Sequence, residues 1–152
     1  MLRSCVRSLQ RLSCNHARRY ASTFEEFQII HVEPIHPKTQ IDAYDDEGFT
    51  VNGVHLLGSV LAFPNMAFLW RSNNESKFKP EMLAILPAIT TPIDLVIFGT
   101  GERLSQLPDE VSKFLRENRI KYEVMQTFHA CATFNMLNME NRQVAGLLLP
   151  TK

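Results

Sequence analysis

The stretch Leu95-Val96-Ile97-Phe98-Gly99-Thr100-Gly101 decides the fold class of this 152-residue chain. A near-continuous apolar run, here Ile93–Phe98, is typical of a strand that is buried on both faces of a sheet. Two glycines follow directly and end the strand, because glycine accepts the backbone angles of tight turns. The sequence therefore predicts a central strand of an α/β sheet at this position.

The residues that follow this strand alternate between helices and strands. Pro108 opens a predicted helix with an acidic first turn, which suits the helix dipole. Ile120–Met125 is the next predicted strand, Thr127–Met139 the next helix and Gln143–Leu149 the last strand. This order predicts parallel strand pairing with right-handed crossovers.

The residues before the central strand are rich in predicted β-hairpins. The turn signals Asp45–Gly48 and Asn52-Gly53 separate short apolar segments. The predicted strands are Ile41–Tyr44, Phe49–Val51, Val54–Leu57, Ser59–Phe63 and Met66–Trp70. A short helix is predicted from Pro80 toward Pro87. Together these patterns predict one three-layer α/β domain over residues 41–150, with a mixed central sheet and a hairpin-rich N-terminal half.

Residues 1–21 have the composition of a mitochondrial transit peptide. Residues 1–20 contain five arginines and no acidic residue, and their apolar and basic residues separate onto opposite faces of a helix. Arg18-Arg19-Tyr20-Ala21 resembles the sites that matrix processing peptidases cleave. A disordered basic tail is the alternative interpretation. Residues 22–40 are predicted to be an irregular lead-in to the domain.

Charge and cysteine content exclude several functional classes. The chain has 16 basic and 16 acidic residues, and five of the basic residues lie in the predicted transit peptide. The remainder carries a net charge of about −5, which argues against nucleic-acid binding. Only Cys131 lies outside the predicted transit peptide, so an internal disulfide is excluded and a reducing compartment is favoured.

No metal site or membrane span is predicted. The five histidines are scattered and lack the spacing of zinc ligands. The long uncharged run 49–70 is interrupted by Gly53, Gly58 and Pro64-Asn65, so it is interpreted as strands, and any membrane association is expected to be peripheral. His129 and Cys131 lie about 200° apart on a helix and cannot form a nucleophile pair. We therefore predict no catalytic residue and no cofactor.

Gly99-Thr100-Gly101 is one candidate binding site, because open α/β sheets bind ligands at the ends of their strands. With Thr133, Asn135 and Arg142 it would form a small-anion pocket. The pattern lacks the third glycine of a dinucleotide fingerprint and the lysine of a P-loop. A tight turn pinned by structural hydrogen bonds remains the alternative for these residues.

The helix Thr127–Met139 is the second candidate, because it contains no charged residue. One apolar face consists of Ala130, Phe134 and Leu137. The nearly opposite face is also apolar and consists of Phe128, Ala132, Met136 and Met139. One face must cover the sheet, and the other is covered by the same domain or by a partner protein. The hypothesis of a partner surface includes the strand residues Phe63, Phe68 and Trp70.

Five stretches carry a resemblance to a known family: Gly48–Gly53, Gly58–Pro64, Trp70, Leu95–Gly101 and Ala130–Arg142. They resemble the NADH dehydrogenase 1 alpha subcomplex assembly factor 3 family, whose members serve mitochondrial complex I. The resemblance implies a non-catalytic protein that acts in early assembly of the quinone-reducing arm, at the matrix side of the inner membrane. It implies as partners another assembly factor and quinone-arm subunits. It implies no enzymatic activity and no cofactor, and a small-anion or nucleotide-binding domain is the alternative function.

The transit-peptide interpretation predicts where the mature protein begins. We expect the form purified from mitochondria to start near Ala21 or Ser22, which N-terminal sequencing measures directly. An intact Met1 in that form would contradict the prediction.

Overall fold

A computed structural model of the protein describes residues 27–28, 38–70, 78–83, 86 and 92–151. The predicted transit peptide and most of the lead-in lie outside these residues. The strands within them are β1 Phe27–Gln28, β2 Ile41–Tyr44, β3 Gly48–Val51, β4 Val54–Leu57, β5 Ser59–Phe63, β6 Met66–Trp70, β7 Leu95–Gly99, β8 Tyr122–Met125 and β9 Val144–Leu148. The helices are α1 Pro80–Leu83, α2 Asp109–Glu117 and α3 Thr127–Met139.

The larger sheet has six strands in the order β1-β6-β5-β9-β7-β8. The C-terminal strands β9, β7 and β8 are parallel, whereas β9 pairs antiparallel with β5, which continues antiparallel into β6 and β1. β9 therefore joins the parallel half of the sheet to the hairpin half. This arrangement confirms the predicted mixed sheet and the predicted parallel pairing of the C-terminal strands.

The smaller sheet has three antiparallel strands in the order β2-β3-β4. Asn52 and Gly53 connect β3 to β4 with φ values of 49° and 77°, as a two-residue hairpin of the primed type requires. The Asp45 carboxylate accepts the N–H groups of Glu47 and Gly48 at 2.8 and 2.7 Å in the preceding turn. These hydrogen bonds hold the pKa of Asp45 below its usual value. Both predicted turns are confirmed.

The six-stranded sheet separates two apolar cores. Val96 and Phe98 of β7 face α1 and α2, whereas Ile97 faces α3 and the small sheet. This alternation follows from the two-residue period of a strand, and burial of both faces explains why β7 is apolar throughout. The domain is therefore three-layered, as the sequence predicts.

Helices α2 and α3 end in the same way. After α3, the N–H groups of Asn141 and Arg142 donate to the carbonyls of Asn138 and Leu137, and Asn141 adopts a φ of 63°. The residues after α2 repeat this pattern, with Arg119 at a φ of 56°. These are Schellman motifs, which reverse the chain abruptly at the helix end. Because of this reversal, Gln143 lies directly before Val144, the first residue of β9.

Two asparagines of α3 hold the small sheet and the β5–β6 hairpin in place. The side chain of Asn135 accepts the N–H of Ile41 at 2.9 Å and donates to the carbonyl of Ile41 at 2.8 Å. The amide of Asn138, which is buried, donates to the carbonyls of Thr39 at 2.8 Å and Pro64 at 3.0 Å. The side chain of Asn135 on α3 thus makes the two backbone hydrogen bonds that a neighbouring strand would otherwise make with Ile41, the first residue of β2.

Substitution of Asn138 should reveal how strongly these bonds stabilise the fold. Asn138→Ala removes two hydrogen bonds and leaves the carbonyl of Thr39 without this donor, whereas the carbonyl of Pro64 keeps the N–H of Thr39. We therefore expect the substitution to lower the free energy of unfolding by about 1–3 kcal/mol. Urea unfolding followed by circular dichroism measures this change. Asn118→Ala is the control, because the Asn118 side chain is exposed and donates only to Phe114 within the same helix end. An equal loss in both variants would contradict the role given to Asn138.

Candidate functional site

Helix α3 buries one face and exposes the opposite one. Ala130 and Phe134 are fully buried against β7 and β9. On the outer side, Phe128 is 57% exposed, Met136 56% and Met139 71%. Ala132 is also exposed and lies between them. We call Phe128, Ala132, Met136 and Met139 the α3 stripe.

The α3 stripe continues onto the small sheet. The ring of Tyr44, at the end of β2, packs edge-on against the ring of Phe128, with 6.4 Å between their centroids. Tyr44 is itself 36% exposed. His129 is also exposed, beside Phe128. Large exposed apolar side chains at a helical period of three and four residues form a continuous ridge rather than isolated patches.

Phe63, Phe68 and Trp70 do not belong to this surface, contrary to the hypothesis made from the sequence. Phe63 and Trp70 are buried, and Phe68 is half-buried beside Phe63. All three pack in the core that faces α1 and α2, on the opposite side of the sheet from α3. The sequence places them in strands but does not indicate which face of the sheet each side chain occupies.

The turn Gly99-Thr100-Gly101 is closed by hydrogen bonds within the chain. The N–H of Thr100 donates to the carbonyl of Met125 at 3.0 Å, and the N–H of Gly101 donates to the hydroxyl of Thr127 at 2.9 Å. The Thr100 hydroxyl is buried and donates to the carbonyl of Arg103 at 2.9 Å. The N–H groups of Thr100 and Gly101 that would bind an anion are therefore already occupied.

Packing explains the first glycine of this turn. A Cβ atom at Gly99 would lie 2.9 Å from Leu148 Cδ2, 3.0 Å from Thr127 Oγ1 and 3.1 Å from Ala130 Cβ. The fully buried Thr127 also donates its hydroxyl to the carbonyl of Leu149 at 2.6 Å. Gly99 thus allows the first turn of α3 to approach the ends of β7 and β9 closely. The role of Thr127 in closing this turn was not predicted from the sequence. The only pattern that could have indicated the role is the position of Thr127 shortly after a β-strand.

The other residues of the predicted anion pocket lie elsewhere. Asn135 is two turns along α3 and is bonded to Ile41. Arg142 precedes β9, whereas Gly99 ends β7, and these strands are parallel neighbours with Leu95 opposite Val144. Arg142 therefore lies at the N-terminal end of these two strands and the glycine turn at their C-terminal end. Thr133 is half-buried on α3 and lies between these two ends. The structure does not bring the six residues into one pocket.

Arg142 instead borders a shallow cleft with a cavity volume of about 270 Å³. Phe63, Met66 and Ile93 contribute apolar atoms to this cleft, and Lys38 lies at its border. The Lys38 ammonium group donates to the carbonyls of Asn138 and Met139 at 2.9 and 3.0 Å. Lys38 therefore satisfies the C-terminal carbonyls of α3, a role that sequence reasoning did not assign.

Two features of the described residues concern metal binding and nucleophilic chemistry. These residues contain no cluster of three or more histidine, cysteine or acidic side chains suited to a metal ion. Cys131 is buried, and the loss of hydration raises the pKa of its thiol to about 12. A thiol with this pKa is a poor nucleophile near neutral pH. Within the same residues, no helix has the length and apolar character needed to cross a bilayer.

A family model described as a protein of unknown function, DUF498/DUF598, matches residues 41–149. The chain belongs to this family. The chain shares this three-layer domain with solved bacterial structures. A crystal structure described as that of an outer membrane protein from Bartonella henselae is 31% identical, with a TM-score of 0.65 over 74% of this chain and 95% of that one. A Mth938-like domain from Bordetella pertussis, at 22% identity, has a TM-score of 0.64 over 82% of this chain and 93% of its own, and supports the fold alone.

Several curated relatives of the chain carry a functional name. The protein named NADH dehydrogenase [ubiquinone] 1 alpha subcomplex assembly factor 3 from Danio rerio is 34% identical over 112 residues, 74% of this chain and 64% of its own. The protein of that name from Homo sapiens is 32% identical over 110 residues, 72% of this chain and 60% of its own. The resemblance described from the sequence is thereby confirmed. The chain spans about three fifths of the length of these relatives.

The raised pKa of Cys131 makes a testable prediction about its reactivity. At pH 8, a shift from 9.0 to about 12 lowers the thiolate fraction about a thousandfold, so alkylation of folded Cys131 should be slower by a similar factor. Iodoacetamide labelling followed by peptide mass spectrometry measures the rate in native buffer and in urea. Equal rates in the two conditions would show that the thiol is not protected.

Proposed function

We propose that this protein is a non-catalytic assembly factor for mitochondrial respiratory complex I. In this proposal it binds other proteins during early assembly of the quinone-reducing arm, at the matrix side of the inner membrane. The names of its relatives support an assembly role, and the composition of residues 1–21 supports a mitochondrial location. The observation that carries the binding mechanism is the exposure of the α3 stripe.

The α3 stripe has the properties of a protein-binding surface. Full burial of a Phe or Met side chain contributes about 1.5–3 kcal/mol. Because Phe128, Met136 and Met139 are largely exposed, their burial by a partner would contribute several kcal/mol to binding. Methionine side chains are unbranched and adapt to the shape of a partner. None of the stripe residues is charged, so binding of a partner does not remove water from a charged group of the stripe.

The proposed partners are another complex I assembly factor and subunits of the quinone-reducing arm. Attachment to the membrane would be peripheral and would follow from these partners. An assembly factor of this type needs no catalytic residue and no cofactor, which agrees with the buried, protonated Cys131 and the closed Gly99–Gly101 turn. The protein should accompany assembly intermediates rather than the finished complex. Affinity purification from mitochondria followed by native gels distinguishes these two cases.

Substitution within the α3 stripe tests the binding mechanism. Met136→Asp places a charge at the centre of the surface, so we expect it to abolish co-purification of complex I subunits while leaving the fold intact. Quantitative mass spectrometry of the purified complexes measures the loss. Met66→Asp is the matched control, because Met66 is 41% exposed but lies at the start of β6, outside the stripe.

The two variants separate a binding role from a structural one. Thermal unfolding should give nearly the same midpoint for Met136→Asp and the unchanged protein, since Met136 is 56% exposed. Unfolding of Met136→Asp would show that the stripe belongs to the core. A folded Met136→Asp protein that still retrieves complex I subunits would remove the stripe from the mechanism.

A further inference from the structure

β8 forms one edge of the six-stranded sheet. Its inner side pairs in parallel with β7, and no strand within the described residues pairs with its outer side. The carbonyls of Lys121 and Met125 accept the N–H groups of Val96 and Thr100, so the backbone groups of alternate residues point toward β7. The N–H and carbonyl groups of Tyr122 and Val124 must then point outward. Edge groups of this kind are available for pairing with another chain.

A groove runs beside this edge, on the side of the sheet that faces α2. Its cavity volume is about 530 Å³, and β8 lines it with the side chains of the same two residues, Tyr122 and Val124. Leu104, which is 64% exposed, and Leu107 line it on the loop that precedes α2. The rest of its lining is polar and includes Ser105, Asp109, Ser112 and Arg116. A strand added to β8 would direct every second side chain toward the part of the groove that Leu104, Leu107, Tyr122 and Val124 line.

Charges on β8 disfavour a second copy of this chain as the added strand. An antiparallel copy in the register that pairs Tyr122 with Val124 places Glu123 directly opposite the Glu123 of the copy, and like charges in that position are destabilising. A shift that pairs Tyr122 with itself brings Val124 opposite Ile120. The N–H of Ile120 is already bonded to the carbonyl of Leu115 at 2.9 Å. A different chain with a basic residue opposite Glu123 avoids both problems.

We propose that β8 and the groove beside it bind an extended segment of a partner protein by adding a strand to the sheet. The segment carries apolar side chains at alternate positions, which enter the groove lined by Leu104, Leu107, Tyr122 and Val124. Between them, a lysine or arginine lies opposite Glu123 on the other face of the strand. The site is independent of the α3 stripe, because the groove and the stripe are on opposite sides of the sheet.

The test uses the full chain and a phage-displayed library of 12-residue peptides. Selected peptides are expected to alternate apolar and polar residues with a basic residue among the polar ones. When added to the protein, synthetic copies should slow amide exchange at Tyr122 and Val124, as measured by NMR. N-methylation of a peptide amide that faces β8 removes one hydrogen bond and should weaken binding about tenfold, whereas N-methylation of the adjacent amide should have less effect.

Variants of the protein test the same backbone contact. Val124→Pro removes an outward N–H, which an edge strand tolerates, and should also weaken binding about tenfold. Val124→Thr keeps the N–H and the branched shape and should retain binding. If Val124→Pro does not fold, the N-methylated peptides give the same answer without altering the protein.

Several results would overturn this proposal. One is that no selected peptide slows amide exchange at Tyr122 and Val124. Another is that N-methylation of the peptide leaves its affinity unchanged. A third is that the peptides slow exchange of the α3 amides instead. A dimer in sedimentation experiments that Val124→Pro converts to a monomer would assign the edge to a second copy. Met136→Asp should leave peptide binding unchanged, so failure of the assembly proposal and failure of this one are distinguishable.

Discussion

The hydrogen bonds between α3 and the start of β2 fix the arrangement of the whole domain. A strand edge normally bonds to another strand, but Ile41 bonds to both ends of the Asn135 side-chain amide. Asn138, one turn later, bonds to Thr39 and to the β5–β6 turn at Pro64. These contacts set the rotation of α3 about its axis. The rotation that places Asn135 beside β2 and Phe134 in the core also turns Met136 toward solvent, so the same bonds that build the core expose the α3 stripe.

Local patterns in the sequence predict most of the helices and strands. The features that these patterns do not predict, such as the buried face of α3, depend on contacts between residues far apart in the chain. The bounds of α3 and of β4, β5 and β6 agree with the structure, because each is set by residue period and by flanking turn residues. The two faces of α3 are equally apolar, so its period alone cannot assign the buried one. The assignment depends on Asn135 meeting Ile41, a contact between residues 94 positions apart. The role of Lys38 at the end of α3 depends on a similar separation.

The Gly99–Gly101 turn illustrates why a functional site is harder to predict than a fold. Two glycines after a buried strand indicate close approach of another group, but the pattern does not distinguish a ligand from the chain itself. Here the group is the first turn of α3, with Thr127 bonded to Gly101 and Leu149 at the ends of β7 and β9. The glycines are required by packing. Asn135 and Asn138, which belong to the stretch Ala130–Arg142 that carries the family resemblance, likewise form hydrogen bonds within the fold. The exposed apolar residues of this stretch are then the feature that packing does not explain.

An exposed apolar ridge is a liability in a protein that acts alone, because it promotes self-association. The net charge of about −5 beyond residue 20 opposes this, since copies of the same sign repel one another. Glu123 opposes self-pairing at the β8 edge in the same way, over a shorter distance. Both charges disfavour an identical chain and favour a basic partner over an acidic one. The stripe and the edge therefore combine exposed apolar side chains and edge backbone groups with electrostatic repulsion between copies, which is the combination that the proposed binding to different subunits requires.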